Sequence, residues 1–218
     1  MSDAGKAFPL VIAAPSGTGK TSLAHALVGA EEHAVFSVSA TTRAPRSGER
    51  EGIDYHFVDD AEFDRMIAAG ELVEWAVVHG RRYGTPWHAV RSGLEAGNTV
   101  VLDIDIQGAR HVRAAFADAV LVFILPPGAD ELHRRLAGRN TEGPADLRRR
   151  MTNALNELDA CIEFDYAVVN DQFERALKTL QSIFEAERHA VRRAPDLADR
   201  VRVTKDGIRE ILDKELKA

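Results

Sequence analysis

The sequence has a single cysteine, Cys161, among its 218 residues, so an intramolecular disulfide is impossible and a cysteine-based zinc cluster is not expected. No apolar run approaches the ~20 residues that a membrane-spanning helix needs. The opening residues MSDAGKAFPL lack the apolar segment of a signal peptide. Basic residues are outnumbered, with 28 Lys and Arg against 34 Asp and Glu, which argues against a general nucleic-acid binder. We therefore expect a cytoplasmic protein without a membrane or nucleic-acid partner.

The order of the apolar segments predicts an α/β fold. The runs TVVLDID, AVLVFIL and FDYAVVND are largely apolar, which is typical of parallel strands buried on both faces of a sheet. Helical patterns follow or separate such runs, at residues 21–30, 59–70, 86–97 and 173–193. This alternation predicts a parallel β-sheet core flanked by helices, with ligands bound at the carboxyl ends of the strands.

Two segments interrupt this pattern and divide the chain. Residues 37–93 carry extra short strands and an arginine-rich loop, which indicates an inserted mixed α/β subdomain. Residues 130–157 are helical and hold six arginines around the breaker NTEGP. The core is then expected to comprise residues 1–36, 94–129 and 158–193. In the remaining tail, residues 194–218, we expect APDLADR to be a linker and KDGIREILDKELK to be a short amphipathic helix.

The stretch AAPSGTGKTS, residues 13–22, departs from the phosphate-loop pattern G-x-x-x-x-G-K-[ST] only at Ala14, which replaces the first glycine. Gly17 and Gly19 allow successive backbone N–H groups to turn toward phosphate oxygens. Lys20 supplies a cation for the outer phosphates, and the Thr21 hydroxyl is placed to bind Mg²⁺. The following helix directs its positive N-terminal end at the same anion. The stretch therefore predicts a nucleoside triphosphate site, formed by Ala14, Pro15, Ser16, Gly17, Thr18, Gly19, Lys20, Thr21 and Ser22.

A carboxylate partner for the magnesium ion is expected at the end of a neighbouring strand. Asp103 follows three apolar residues in VVLDID, and Asp105 comes two residues later. Aspartates at strand ends also serve as caps of the helices that follow them. The assignment of Asp103 to the metal therefore depends on the phosphate loop nearby.

The group that accepts the phosphate is suggested by the segment SATTRAPRSGEREGIDYHF, which spaces hydroxyls and guanidinium groups along one loop. Arg43 and Arg46 can clamp a phosphate dianion in bidentate fashion. Tyr55 and Tyr83 can donate hydroxyl hydrogen bonds to the same group. Each of these side chains taken alone is compatible with a solvated loop or a half-buried tyrosine, but their combination beside a triphosphate loop favours a phosphate-binding function.

These motifs resemble, in order, those of the guanylate kinase family, whose members transfer a phosphoryl group from ATP to GMP. The resemblance covers residues 8–190 and is carried by APSGTGKTS, SVSATTRAPRSGEREGIDYHFV, ELVEWAVVHGRRYGT, VVLDIDIQG, GRNTEGPADLRRRM and FDYAVVND. The pattern TTRxPRxGExxGxDYxF within it is highly specific. Bacterial members also begin the loop Ala-Pro-Ser-Gly, so the resemblance makes Ala14 an accepted variant. RNTEG departs from the usual Arg-Gly-Thr-Glu-Thr, and the tail beyond about residue 190 is not accounted for.

The resemblance implies a role for each motif. It implies a GMP site formed by Ser39, Arg43, Arg46, Tyr55, Glu74, Tyr83, Thr85, Asp103 and Asp105. It implies that residues 130–157 form a mobile lid that carries Arg135, Arg139 and Arg150, and it places Asn170 near the adenine. Lys20, Arg43 and the lid arginines are expected to surround the transferred group with positive charge when the subdomains close. Mg²⁺ is the implied cofactor, GMP and ATP are the implied substrates, and the chain is expected to be a monomer or homodimer.

The chemistry of guanine agrees with this implication. Guanine presents N1–H and a 2-amino group as donors, and a carboxylate such as that of Glu74 can accept from both. The Ser39 hydroxyl can donate to O6, and Asp105 can accept from the amino group as well. Adenine has an acceptor at N1, so this atom and the carboxylate would face each other without a hydrogen bond. A site whose specificity depends on buried polar pairs rejects such mismatches strongly.

Two other functions share part of this sequence pattern. Scaffold proteins contain a guanylate-kinase-like domain that binds phosphopeptides without catalysis, but they lack the phosphate loop, which is intact here as GKT. A related small-substrate kinase acts on ribosyl bisphosphate, but Glu74 together with the two tyrosines favours a guanine nucleotide.

Overall fold

The computed structural model describes residues 7–78, 80–138, 144–194 and 196–215. The strands are β1 (Pro9–Ala13), β2 (Ala34–Phe36), β3 (Ala40–Thr41), β4 (His56–Phe57), β5 (Leu72–Val78), β6 (Arg81–Pro86), β7 (Thr99–Asp103), β8 (Val120–Leu125) and β9 (Tyr166–Val169). The helices are α1 (Lys20–Ala30), α2 (Asp60–Ala68), α3 (Trp87–Glu95), α4 (Ile106–Ala115), α5 (Ala129–Ala137), α6 (Pro144–Leu158), α7 (Phe173–Arg188) and α8 (Leu197–Glu215). Within this part of the chain, no helix combines the length and the apolar composition needed to cross a membrane.

The larger sheet has five parallel strands in the order β2-β7-β1-β8-β9. The predicted parallel core flanked by helices is therefore confirmed. β1 lies at the centre, and its residue Ile12 pairs with Asp103 of β7. Because parallel strands end at the same edge, this register brings the loop that follows β1 beside the carboxylate at the end of β7.

Alternate residues of β1 pack against opposite helical layers, since successive side chains of a strand point to opposite faces. Leu10 and Ile12 belong to a buried cluster with Leu23 of α1 and Phe184 of α7. Val11 belongs to a second cluster that includes buried residues of α3 and α4. Burial on both faces explains why β1 and its neighbours have almost continuous apolar sequences.

The smaller sheet has four strands in the order β4-β3-β6-β5. It is mixed, because β3 pairs with β4 in parallel and with β6 antiparallel, and β5 and β6 form an antiparallel pair. Asp59 caps α2 by accepting a hydrogen bond from the Glu62 N–H, and Phe63 of α2 packs against Ala40 of the sheet. The β5–β6 pairing sets Glu74 opposite Thr85.

The carboxyl-terminal part of the chain differs from the sequence prediction. The helix predicted to reach residue 193 ends at Arg188 and is followed by a 3-10 turn, Val191–Arg193. Arg193 is buried there, with its guanidinium 4.0 Å from the centre of the Phe8 ring and bonded to Glu187. The expected linker APDLADR is wrong in part, because α8 begins at Leu197. Its first turn is closed by a hydrogen bond from the Arg200 N–H to the Asp196 carbonyl, so the part of this segment from Leu197 onward is helical.

Candidate active site

A cavity of about 270 Å³ lies between the carboxyl edge of the parallel sheet and the smaller sheet. Its walls come from the phosphate loop, from the residues after β7, from the smaller sheet and from α6. The lining residues are Ala14, Pro15, Ser16, Gly17, Thr18, Gly19, Lys20, Thr21, Ser22, Ser39, Tyr55, Glu74, Ala76, Val78, Tyr83, Asp103, Ile104, Asp105 and Glu157. The structure thus brings the predicted triphosphate loop and several of the predicted acceptor-site residues to one cavity.

The phosphate loop has the backbone conformation that its glycines allow. Gly17 and Gly19 have φ angles of 88° and 85°, in the left-handed region that favours glycine. The Thr18 hydroxyl donates to the Pro15 carbonyl at 2.9 Å, and the Asn170 side-chain amide donates to the Thr18 carbonyl at 2.6 Å. These bonds hold the loop open around the N-terminus of α1, which begins at Lys20. Open backbone N–H groups at a helix N-terminus form an anion site.

Lys20, Thr21 and Asp103 form a compact polar group at the end of the loop. The Lys20 ammonium lies 2.5 Å from Asp103 Oδ1 and donates to the Ile104 carbonyl at 2.6 Å. The Thr21 hydroxyl donates to Asp103 Oδ2 at 2.5 Å. Both oxygens of Asp103 are thus turned toward the loop, whereas the Asp105 carboxylate caps α4 by accepting from the Gly108 N–H at 2.8 Å. The structure therefore separates the two aspartates by their contacts.

Glu74 is buried in the cavity wall, with 6% of its surface exposed. The Thr85 hydroxyl donates to its Oε1 at 2.6 Å. Burial raises the pKa of Glu74 to about 7, against the lowering effect of the Thr85 hydrogen bond and of Lys20. A Cβ added at Gly108 would lie 2.8 Å from Glu74 Oε2, so a glycine at this position of α4 leaves space for the carboxylate. Sequence reasoning did not detect that requirement.

Arg43 is held in place by Glu49 and the two tyrosines. Its guanidinium donates to the two carboxylate oxygens of Glu49 at 2.9 and 2.8 Å and to the Tyr83 hydroxyl at 3.2 Å. The same group lies 5.3 Å from the centre of the Tyr55 ring. Burial raises the pKa of Tyr55 to about 12, so its hydroxyl stays protonated as a donor. Glu49 was missed as a functional residue, although it is the glutamate of the quoted TTRxPRxGExxGxDYxF pattern.

Some predicted site residues do not line the cavity. Thr85 and Asn170 lie behind it, where they hold Glu74 and the phosphate loop. The guanidinium of Arg43 is paired with Glu49, and Arg46 is exposed, with its backbone N–H donating to Glu49 at 2.7 Å. The predicted placement of Asn170 near the adenine stays a prediction.

The predicted lid arginines lie in different surroundings. Arg135 of α5 contacts the phosphate loop, since its guanidinium donates to the Thr18 carbonyl at 3.4 Å and to the Asn170 carbonyl at 3.0 Å. Arg150 of α6 lies 3.4 Å from the Asp146 carboxylate. Arg139 lies outside the described residues. Glu157, near the end of α6, lines the cavity and was not recognised from the sequence, where it reads as one more polar position of an amphipathic helix.

The two ends of the cavity suit two different kinds of ligand group. Its loop end offers backbone N–H groups, a lysine and a paired hydroxyl and carboxylate, which suit a polyphosphate and a hard divalent cation. Its other end offers a buried carboxylate and the Ser39 hydroxyl, which suit a flat polar group with adjacent donors. Tyr55, in the loop before β4, and Tyr83, on β6, also line the cavity, and Arg43 lies beside both tyrosines.

Comparisons with known proteins agree with this geometry. The family model described as guanylate kinase matches residues 6–187. A guanylate kinase of Alkalilimnicola ehrlichii is 48% identical over 193 residues, which cover 88% of this chain and 95% of that protein. A guanylate kinase of Gluconobacter oxydans is 49% identical over 88% of this chain and 93% of its own length. The crystal structure of guanylate kinase from Anaplasma phagocytophilum superposes with a TM-score of 0.74 at 34% identity, covering 87% of this chain and 90% of that one.

Proposed function

The chain belongs to the guanylate kinase family, and from this premise we propose that its cavity binds GMP and MgATP for direct phosphoryl transfer. The chain is an ATP:GMP phosphotransferase, which converts the two substrates to GDP and ADP. The observation that carries the proposal is the common cavity of an intact phosphate loop and the buried carboxylate of Glu74. We place the enzyme in cytoplasmic purine nucleotide metabolism, as a monomer or homodimer, with dGMP as a weaker substrate.

The GMP end of the site is assigned mainly to the subdomain of residues 37–93, which contains the smaller sheet. Glu74 accepts hydrogen bonds from guanine N1–H and the 2-amino group, and the Thr85 hydroxyl holds the carboxylate in place. Ser39 donates to O6, while Asp105 adds an acceptor near the amino group. The phosphate of GMP is bound by Arg43, Arg46, Tyr55 and Tyr83. In support, Ser39, Tyr55, Glu74 and Tyr83 line the same cavity, and Glu49 orients Arg43.

The ATP end is assigned to the phosphate loop. Its backbone N–H groups and Lys20 bind the phosphates, and Asn170 is assigned to the adenine side. The residues present fit Mg²⁺, because the Thr21 hydroxyl and the Asp103 carboxylate are adjacent oxygen ligands, and this ion prefers a few carboxylate or hydroxyl oxygens together with substrate phosphates. When bound, Mg²⁺ neutralises charge that develops on the phosphate oxygens. Lys20 and the arginines of residues 130–157 then surround the transferred group and exclude water.

We expect the purified protein to convert GMP and MgATP to GDP and ADP, with weaker turnover of dGMP and almost none of AMP. A coupled assay that compares GMP, dGMP, AMP and no acceptor measures this directly. The physical reason is that AMP cannot pair its N1 acceptor with the Glu74 carboxylate. Equal turnover of AMP, or ATP consumption that does not depend on GMP, would show that the assignment is wrong.

The proposed lid leads to a prediction for Arg150. Arg150→Ala should reduce kcat while it leaves the KM for GMP nearly unchanged, because the GMP clamp lies on the smaller sheet. The predicted effect of Arg139→Ala is the same. Arg148→Ala is a matched control, since Arg148 is an exposed arginine of the same helix. Steady-state kinetics with each substrate varied in turn separate kcat from KM. A large rise in the KM for GMP with kcat intact would show that these arginines act on GMP, and that their assignment to the lid over ATP is wrong.

A further inference from the structure

Asn170 is a buried polar residue at the carboxyl end of the parallel sheet. It directly follows β9, and only 5% of its surface is exposed. Its backbone N–H donates to the Leu125 carbonyl at 2.8 Å, which continues the pairing of β9 with β8. Asn170 therefore has a fixed place on a rigid element, behind the residues that line the cavity.

The side chain of Asn170 holds one peptide group of the phosphate loop. Its amide donates to the Thr18 carbonyl at 2.6 Å, and Thr18 itself is 1% exposed. Arg135 of α5 donates to the same carbonyl at 3.4 Å and to the Asn170 carbonyl at 3.0 Å. The Thr18 carbonyl is thus held both from the sheet and from α5.

The orientation of this carbonyl determines the orientation of the N–H group that follows it. In a planar trans peptide the carbonyl and the N–H point in opposite directions, and none of the described peptide bonds is cis. Because the Thr18 carbonyl is turned toward Asn170, the Gly19 N–H is directed to the opposite side of the loop. Gly19 lines the cavity, and N–H groups so directed at the start of a helix bind phosphate oxygens.

Gly19 is also the residue that allows Asn170 to come so close. A Cβ added at Gly19 would lie 2.7 Å from Asn170 Nδ2, which is closer than non-bonded heavy atoms normally approach. A side chain at this position would therefore displace the amide from the Thr18 carbonyl. The contact with Asn170 is a second reason for glycine here, in addition to the φ angle of 85°.

We propose that Asn170 is a positioning residue for the triphosphate, which turns the Gly19 N–H toward the phosphates by holding the Thr18 carbonyl. The proposal rests on the proposed function and adds a role for Asn170 that does not involve the base. A contact with adenine would affect ATP alone, whereas a role through the loop extends to every ligand with a triphosphate group. Inorganic tripolyphosphate, which has no base, separates the two roles.

The test uses calorimetry to compare the binding of MgATP, magnesium tripolyphosphate and GMP by the unmodified protein, Asn170→Ala and Asn170→Leu. We expect both variants to bind MgATP and magnesium tripolyphosphate about 10- to 100-fold more weakly, because the loop peptide loses the donor that orients it. The Kd for GMP should stay within about twofold. Leucine keeps the branched shape of asparagine without its donor. Gln172→Ala is the matched control, since Gln172 is an exposed amide whose side chain makes no capping hydrogen bond.

Three results would overturn the proposal. Weak binding of MgATP with normal binding of tripolyphosphate would assign Asn170 to the base. Unchanged binding of both, or an equal loss for GMP, would show that the side chain does not act on the triphosphate through the loop. An unmodified protein that does not bind tripolyphosphate would contradict the anion site itself.

Nuclear magnetic resonance examines the same step without a variant, so it gives a decision even if neither variant folds. In the isotope-labelled unmodified protein, magnesium tripolyphosphate should shift the Gly19 amide proton downfield, because that N–H then donates to a phosphate oxygen. A Gly19 resonance that does not move would overturn the proposal. An unmodified protein that shows this shift but does not convert GMP would instead refute the proposed function.

Discussion

Replacement of Lys20 by methionine is expected to lower kcat by at least about 100-fold, the effect of losing one preorganised donor to the transition state. The Lys20 ammonium stands beside the phosphate loop, held by Asp103 at 2.5 Å and by the Ile104 carbonyl at 2.6 Å. When the phosphates of ATP occupy the loop, this cation is placed to follow the charge that develops on the transferred group. Methionine has a similar length but no charge, so it removes the stabilisation that is stronger in the transition state than in bound ATP.

The loss should appear in kcat and not in nucleotide binding. Calorimetry should show that the variant still binds ATP, because the backbone N–H groups of the loop remain. Lys178→Met provides a control at an exposed lysine of α7. A Lys20→Met enzyme with a normal kcat would remove this side chain from the mechanism.

Glu74→Gln is expected to reduce the preference for GMP over AMP by about 30- to 1,000-fold. The Thr85 hydroxyl donates to Glu74 at 2.6 Å, so the glutamine carbonyl can keep that bond while its amide group turns toward the guanine donors. One hydrogen bond is lost and two donors face each other, which together cost roughly 2–4 kcal/mol in kcat/KM for GMP. At ~1.4 kcal/mol per decade this gives the stated range. AMP should remain a poor substrate and change far less.

The measurement is kcat/KM for both nucleotides at saturating MgATP. Glu71→Gln is a matched control, because Glu71 is an exposed glutamate just before the same strand, paired with Arg65. The pH profile adds a second readout, since burial raises the pKa of Glu74 to about 7. The ionised carboxylate is the form that accepts from both donors, so kcat/KM for GMP should fall as the pH drops through 7, and Glu74→Gln should lack that decline. If GMP and AMP rates fall together, Glu74 is a structural residue and guanine recognition must lie with Ser39 and Asp105.

The sequence predicted the strands and loops that are specified by a short stretch of neighbouring residues. Apolar runs identified the buried strands, and the glycines at 17 and 19 indicated a loop that needs left-handed backbone, where φ is 88° and 85°. Elements without such a local signal were missed. β6 contains Arg81, Arg82 and Gly84, and it is a strand because both β5 and β3 pair with it.

The sequence predicted those site residues whose chemical role is part of a recognisable motif. Lys20 and Thr21 follow from the phosphate-loop pattern alone, and Asp103 follows from its place at the end of an apolar strand taken together with that loop. Glu49 belongs to the quoted TTRxPRxGExxGxDYxF pattern, but a loop glutamate does not by itself indicate that it will bind Arg43. Glu157 belongs to no quoted motif and is a polar position on a helix. Glu49 pairs with Arg43, six residues earlier in the same loop, whereas Glu157 lines the cavity together with the phosphate loop, which is distant from it in the chain.

By itself, the sequence determined that this protein has a parallel α/β core with a phosphate loop, because strand burial, helix periodicity and glycine conformation are properties of short segments. Only the tertiary structure decided which partners each carboxylate has. Asp103 turns to Lys20 and Thr21, Asp105 caps α4, and Glu74 is buried against Thr85. The reason is that the role of a carboxylate depends on its burial and on the donors within about 3 Å, and these are set by strand register and helix packing across the whole chain.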